Sequence, residues 1–393
     1  MFYLGIDIAK TNHVASLIGE DGTILVKAIK FTNSKEGFEK LISALKDYDL
    51  SQIYCAMEAT GIYWLSLFSA LTDKKFNVSV FNPYQIKSFR GVYTNRKQKN
   101  DVIDSILIAN FLSFNGINTT SLPNDDLLSL KNFTRFRGNL ITNISSIKTQ
   151  IVGILDKVFP EYSKLFSDTF GESSKIILLN CPTPEEVIKF NTIKLSNLLN
   201  KSSKGRFGKD KVKEIKLIAK NTFGIKFTNN ACSFEIKQLV NQIIFLEKQI
   251  DDLDFQIQNI YSKLDNHLST IPGIGKTIAP IILAEIGDIN NFDSPSKLTA
   301  FAGIDPSQNQ SGNKQSTNET TSKRGSPYLR HAIYLAAFIA SNHDKTFKEY
   351  YQKKIAEGKH HFVALAGVER KLLHIIYYVL KENRDYKPYQ PKT

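Results

Sequence analysis

The first eighty residues alternate apolar runs of strand length with polar breaks. FYLGIDIA (2–9) reads as a buried strand, and 13–18 and 24–31 as two more, joined by the turn Glu20-Asp21-Gly22. Ser34 then offers an N-cap, and Phe38, Leu41, Ile42 and Leu45 recur at helical spacing. Residues 52–57 predict a fourth strand that stops at Glu58, 63–71 a short helix and 77–81 a fifth strand; DVIDSILIANFL, from Asp101, is helical in period. Three antiparallel strands followed by alternating helix and strand is the order of an α/β ribonuclease-H-like (RuvC-like) domain, expected over 1–120.

Beyond that point the period lengthens. Phe133, Phe136, Leu140, Ile144, Ile147, Ile151, Ile154 and Val158 alternate steps of three and four with one slip, and Ile236, Leu239, Ile243, Leu246, Ile250, Leu253, Ile257 and Ile260 do so without one. Two such heptad runs predict long helices over 121–265, packed as a coiled coil within the chain or between protomers, with association into a homo-oligomer (dimer or tetramer) favoured. Residues 163–230 carry no comparable period, so a basic insertion is expected near 163–232. From 266 to 393 the apolar stretches predict a mainly α C-terminal domain. Its interruptions are the turn Pro272-Gly273-Ile274-Gly275 and a Gly-, Ser-, Asn- and Thr-rich loop over 307–326.

Within that outline four acids stand out. Asp7 interrupts an apolar strand whose neighbours Ile6 and Ile8 point to the opposite face of the pleat. Glu58 lies at the end of the fourth strand, and Asp101 and Asp104 share one face of a helix start. Acids gathered together repel unless a cation compensates them, and hard oxygen donors suit Mg²⁺ or Mn²⁺ in phosphoryl transfer. Taken singly, each acid is more commonly a hydrogen-bonded structural group, and Asp101 would serve as a helix cap; the joint pattern is the signal.

Charge adds a partner class. Lys and Arg number 51 against 38 Asp and Glu, a net charge of +13 that favours a polyanion. Between 74 and 100 lie seven basic residues, no acid and five aromatics, so Lys87, Arg90, Arg96, Lys97 and Lys99 are expected on a nucleic-acid ridge leading into Asp101. Residues 201–220 hold eight more bases against Asp210 and Glu214, which suits either a phosphate-contacting patch or an exposed helix face. Gly273 and Gly275 would expose backbone N–H groups to a DNA phosphate, a plain helix–helix turn being the alternative. Three scattered cysteines form no CxxC pair, the start MFYLGIDIAK lacks a basic leader, and no run nears membrane-spanning length. A cytoplasmic protein with no membrane partner is expected.

In the polar loop, Ser311-Gly312 places a hydroxyl on a turn, with Lys323, Arg324, Arg330 and His331 following it. An exposed Ser near cations suits a nucleophile on phosphorus, although Ser307, Ser316, Ser322 and Ser326 compete for that role.

GIDIAKTNH with Asp7, EATGIYW with Glu58 and NDVIDSILIA with Asp101 and Asp104 resemble the RuvC-like domain of DEDD-type insertion-sequence transposases. PGIG, FAGIDPSQNQSG and SKRGSPYLRHAIY resemble the serine-containing C-terminal domain of the same family. The resemblance implies a recombinase that excises and inserts its own element, acting on donor and target DNA under the direction of a noncoding bridge RNA. It further implies that Asp7, Glu58, Asp101 and Asp104 ligate Mg²⁺, that Ser311 forms a phosphoserine link to DNA, and that the site is composite. Three rivals remain: a DNA invertase on the same fold, a junction nuclease using the acids alone, and a non-catalytic scaffold. GIDIAKT also resembles the first phosphate loop of actin-like sugar kinases, but Ala9-Lys10 stands where that loop needs glycine.

Overall fold

The computed structural model describes every residue except 60, 94–99, 121–123, 307–309, 312–313, 316–320 and 389–393, with backbone alone at 310–311 and 314–315. The chain divides into two compact units, Met1–Leu122 and Pro123–Thr393.

The first unit is an α/β layer built on five strands: β1 (Phe2–Asp7), β2 (Asn12–Gly19), β3 (Ile24–Thr32), β4 (Ile53–Glu58) and β5 (Asn77–Phe81). Their spatial order is β3-β2-β1-β4-β5. The β1–β2 and β2–β3 pairs are antiparallel, and β1–β4 and β4–β5 are parallel. This is consistent with the ribonuclease-H-like order. Helices α1 (Lys35–Ala44) and α2 (Trp64–Asp73) cover one face, while α3 (Pro83–Tyr93) and α4 (Asp101–Asn115) belong to the other. Alternation sorts the side chains: Leu4, Ile6, Cys55 and Met57 pack in the α1–α2 core, whereas Tyr3 and Ala56 pack with Ile86, Leu107 and Ile108 on the α3–α4 side. Ser34 does cap α1, its hydroxyl accepting from the Gly37 N–H.

In the second unit, α5 (Asp125–Val158) and α10 (Asn229–Tyr261) are the two long helices. Leu130 clusters with Ile257, and Arg137 donates to both oxygens of Asp254 at 2.6 and 3.1 Å, so the start of α5 lies beside the end of α10 and the pair is antiparallel. The heptad seams therefore meet inside a single chain, with Ile144 and Ile151 of the first run and Ile236 and Ile243 of the second buried in one core. They no longer argue for association between copies. Phe136 of the first run stays exposed.

The insertion near 163–232 folds as an ordered helical cluster: α6 (Glu172–Asn180), α7 (Pro184–Lys189), α8 (Thr192–Ser202) and α9 (Lys209–Lys220). Tyr162, Ile177, Val187, Leu199 and Ile215 complete the core that the long helices begin. Helices of two or three turns are too short to sustain a readable period.

The last third adds α11 (Ile278–Ile286), α12 (Pro295–Ala302), the two-residue strands β6 (Gln310–Ser311) and β7 (Lys314–Gln315), α13 (Pro327–His343), α14 (Lys345–Ala356) and α15 (His361–Lys381). It shares one unit with the helical middle because α11 packs on α5: Ala284 joins Leu130 and Ile257, and Glu285 is bound by Arg135. Among the described residues no helix is long and apolar enough to cross a membrane.

Candidate active site

β1 and β4 are parallel neighbours, with Ile6 opposite Met57, so the next residues, Asp7 and Glu58, end adjacent strands side by side. Both share the parity of Tyr3, Gly5 and Ala56 and so lie on the α4 face. Gly5 is what lets α4 come so near. A Cβ there would fall 2.0 Å from the Ser105 carbonyl oxygen and 2.3 Å from the Ala109 nitrogen. A hydroxyl–hydroxyl bond of 2.8 Å between Ser16 and Ser105 fixes the same approach. Asp104 immediately precedes Ser105 and Asp101 lies one turn earlier, so the start of α4 brings its pair to the face that carries Asp7. The capping alternative for Asp101 falls away, because the Asn100 side chain caps α4 by accepting from the Ile103 N–H at 2.8 Å.

The donor chemistry of these four carboxylates suits a hard divalent cation, but the arrangement is not a finished cage. Among the described residues no three His, Cys, Asp or Glu side chains are gathered to hold an ion. One reason is visible: Arg90, on α3, donates to Asp104. Arg90, expected as a phosphate contact, is thus turned onto an acid, and its second terminal nitrogen is buried without a partner.

His13 belongs to this neighbourhood and was not singled out from the sequence. It is 1% exposed and accepts from the Ala9 N–H at 3.3 Å, closing the turn that follows Asp7. Burial lowers its pKa, an effect partly offset by the hydrogen bond with Asn33. An open cavity of about 610 Å³ beside it is lined by Lys30, Thr32, Glu36, Lys40 and Asp101. The available signal was a histidine two residues into a buried strand.

The other basic expectations divide. Lys87 is exposed on α3, while Arg96, Lys97 and Lys99 lie outside the described residues. Of the ridge aromatics, Phe76 and Phe81 are core, and Phe89 stacks toward Phe111 at 5.1 Å, leaving Tyr84 and Tyr93 exposed. In 201–220, Lys211 pairs with Glu214 and Lys213 with Asp210, while Lys216 donates to the Ile188 and Phe190 carbonyls at the end of α7, which thins the expected patch.

At the glycine turn the two glycines differ. Gly273, at φ +84°, lies so near α13 that a Cβ would come 2.3 Å from the Ala336 oxygen, so its need for glycine is structural. Gly275 faces open space just before α11 and remains the position where a phosphate could approach.

The serine loop hangs from a tied base. Pro306 and Thr321 form a bridge, and the Ser322 and Lys323 N–H groups donate to the Asp305 and Gly303 carbonyls at 3.0 and 3.1 Å. Farther out, Ser311 pairs with Lys314 as the last residue of β6. Two rival serines have structural duties: Ser322 donates to Asp305, and Ser326 caps α13 while donating to Glu285 at 2.8 Å. Ser307 and Ser316 lie outside the described residues. Lys323 and Arg324 are exposed, but Arg330 turns inward, donating to the Ala302 carbonyl at 3.2 Å. It also acts, with Arg370, on buried Glu369, whose carboxyl is pushed up to about 7 by burial against the pull of both arginines.

Comparison with known proteins agrees with both ends. Residues 4–160 match the IS110 DEDD transposase domain, and 265–352 match the transposase domain of the IS116/IS110/IS902 family. The mini-circle putative transposase for IS117 of Streptomyces coelicolor is 23% identical over 98% of this chain and 95% of its own. An uncharacterized 44.8 kDa protein of insertion element IS116 from Streptomyces clavuligerus is 22% identical over 100% and 97%. The pilin gene-inverting protein of Moraxella bovis is 25% identical over 98% and 97%. With two domains matched in order and relatives aligned nearly end to end, the chain belongs to the IS110/IS116 family of insertion-sequence transposases.

Proposed function

We propose that this transposase excises and inserts its element by strand cleavage through a phosphoserine–DNA link, with a noncoding bridge RNA choosing the sequences. The observation that supports the reading is that Asp7 and Glu58 end neighbouring parallel strands, on the face where α4, which carries Asp101 and Asp104, packs closely at Gly5. In the proposed step the Ser311 Oγ attacks a backbone phosphorus and gives up its proton. The P–O bond to a deoxyribose oxygen breaks, and that oxygen leaves as a hydroxyl. Attack by a DNA hydroxyl on the phosphoserine then restores Ser311 and rejoins the strand. The four acids would hold Mg²⁺ or Mn²⁺, which when bound offsets charge developing on the phosphate. Lys87, Gly275, Lys323 and Arg324 are proposed to hold DNA or RNA backbone, and two or four copies to assemble on it.

Support for Ser311 comes from the resemblance; of its rivals, Ser322 and Ser326 are committed to Asp305 and Glu285, while Ser307 and Ser316 lie outside the described residues. The test is a detergent-resistant protein–DNA adduct formed on donor DNA. Wild type should form it and Ser311→Ala should not, with DNA binding retained; an adduct that persists in the variant removes Ser311 from the mechanism. RNA that co-purifies with the chain, and whose digestion abolishes site choice, would support the guide.

A second reading has its own observation. The Moraxella bovis relative is named a pilin gene-inverting protein, so inversion at fixed sites fits the same two domains. Activity on inverted sites without any guide RNA would favour it.

A further inference from the structure

The loop between α9 and α10, residues 221–228, carries two aromatic rings where a folded chain normally hides them. Phe223 is 94% exposed and Phe227 69% exposed. Between them Ile225 packs against the insertion core, so the loop commits its smaller apolar side chain to the interior and leaves the larger ones in water.

This loop is fastened rather than slack. Glu161 accepts from the Thr222 hydroxyl at 2.6 Å and from the Phe223 N–H at 3.0 Å, while the Gly224 N–H donates to the Thr222 hydroxyl at 3.1 Å. The Ile225 N–H donates to the Lys157 carbonyl at 3.0 Å. Gly224 lies against the end of α5 so tightly that a Cβ would come 2.1 Å from the Val158 oxygen. The rings are therefore displayed from a fixed backbone, which lowers the ordering cost of binding.

The charge on the loop's own stretch of sequence has one sign, Glu161 being an acid that reaches it from outside and is engaged by Thr222 and the Phe223 N–H. From 215 to 234 the sequence holds no Asp or Glu, and Lys220 and Lys226 are exposed beside the rings. Flat apolar faces alternating with cations, on a rigid loop, match the chemistry of unpaired nucleobases joined by phosphates better than that of a protein surface.

We propose that Phe223 and Phe227 form a stacking platform for single-stranded nucleic acid, with Lys220 and Lys226 on its backbone. The inference rests on the chain working on nucleic acid but not on the serine or the acids.

The test uses the full chain and fluorescence anisotropy with oligothymidylate, oligouridylate and a DNA duplex of equal length. Phe223→Ala with Phe227→Ala should weaken single-strand binding by about tenfold or more, with duplex binding unchanged. Phe223→Trp with Phe227→Trp should retain it, because either ring stacks. The strand that loses more, DNA or RNA, identifies the source. Absent single-strand binding by wild type, equal binding by the alanine variant, or equal loss on duplex would overturn the proposal. So would a fall in oligomeric state by sedimentation in the alanine variant, which would mean that a second copy covers the rings. Adduct formation at Ser311 alongside any of these results would leave the proposed recombination chemistry standing.

Discussion

The two compact units hold their candidate chemistry by different means. In the first, the acids ride on elements in direct backbone contact: β1 and β4 are hydrogen-bonded neighbours, and α4 rests on β1 at a glycine with no space for a methyl group. In the second, Ser311 lies several residues beyond the Pro306–Thr321 bridge, and its described backbone contact is the short β6–β7 pairing. The acids are thus placed by the core and the serine by local backbone bonds. Disturbing a core moves its passengers together, whereas a loop residue keeps its freedom until something binds it.

The sharpest way to break that contrast is at Gly5. Gly5→Val should destabilise the N-terminal unit by about 3 kcal/mol or more, because α4 must lift from β1. Gly138, in the middle of α5, has open space around its missing side chain, so Gly138→Ala should instead add about 0.5–1 kcal/mol. Urea unfolding of the full chain measures both. A Gly5→Val protein with the wild-type midpoint would show that α4 does not depend on that approach.

Next in size is the anchor behind the serine loop. The Glu285 side chain is 1% exposed and receives Arg135 at 2.7 and 3.0 Å and Ser326 at 2.8 Å, with Lys131 at 3.9 Å. Arg135 also stacks over Tyr328, 4.6 Å from the ring centre. Arg135→Ala leaves a buried carboxylate under-compensated and should cost about 3 kcal/mol. Ser326→Ala, which removes both a helix cap and the hydrogen bond that the hydroxyl donates to Glu285, should cost about 1–2 kcal/mol. Because both groups meet at Glu285, the double variant should cost less than the sum. Strict additivity would show that the anchor does not act as one unit.

Much of the first unit was readable in advance, since a strand's two-residue period and a helix's 3.6-residue period are local properties. Asp7 off the faces of Ile6 and Ile8, and Asp101 with Asp104 at a helix start, follow from spacing alone. What stayed hidden was tertiary. Nothing near Arg90 in the sequence marks Asp104, fourteen positions on, as its partner, and nothing near Arg135 marks Glu285. The heptads told of two long helices without telling that each was the other's partner. The insertion core draws Tyr162, Val187, Leu199 and Ile215 from separate short helices, none long enough to show a period. In the glycine turn, spacing suggested one role for Gly273 and Gly275. The close approach of α13 separates them, and that approach comes from more than sixty residues away.

The smallest expected effect sharpens the contrast on the acid side. Arg90 and Asp104 are both partly buried, with side chains 25% and 13% exposed, and their contact occupies a carboxylate proposed to bind a cation. If the platform is pre-formed by the core, freeing that carboxylate should be enough to complete it. Arg90→Gln removes the competing charge while keeping a side chain of related length and polarity. It should raise Mn²⁺ affinity about tenfold by calorimetry on the full chain without DNA, and cost no more than about 1 kcal/mol of stability. Asp104→Asn should remove the gain. Binding that is equally weak in wild type and Arg90→Gln would mean that the acids are not finished by the core at all. Nucleic acid would then have to draw them together, which would put both halves of the chemistry under the control of the substrate.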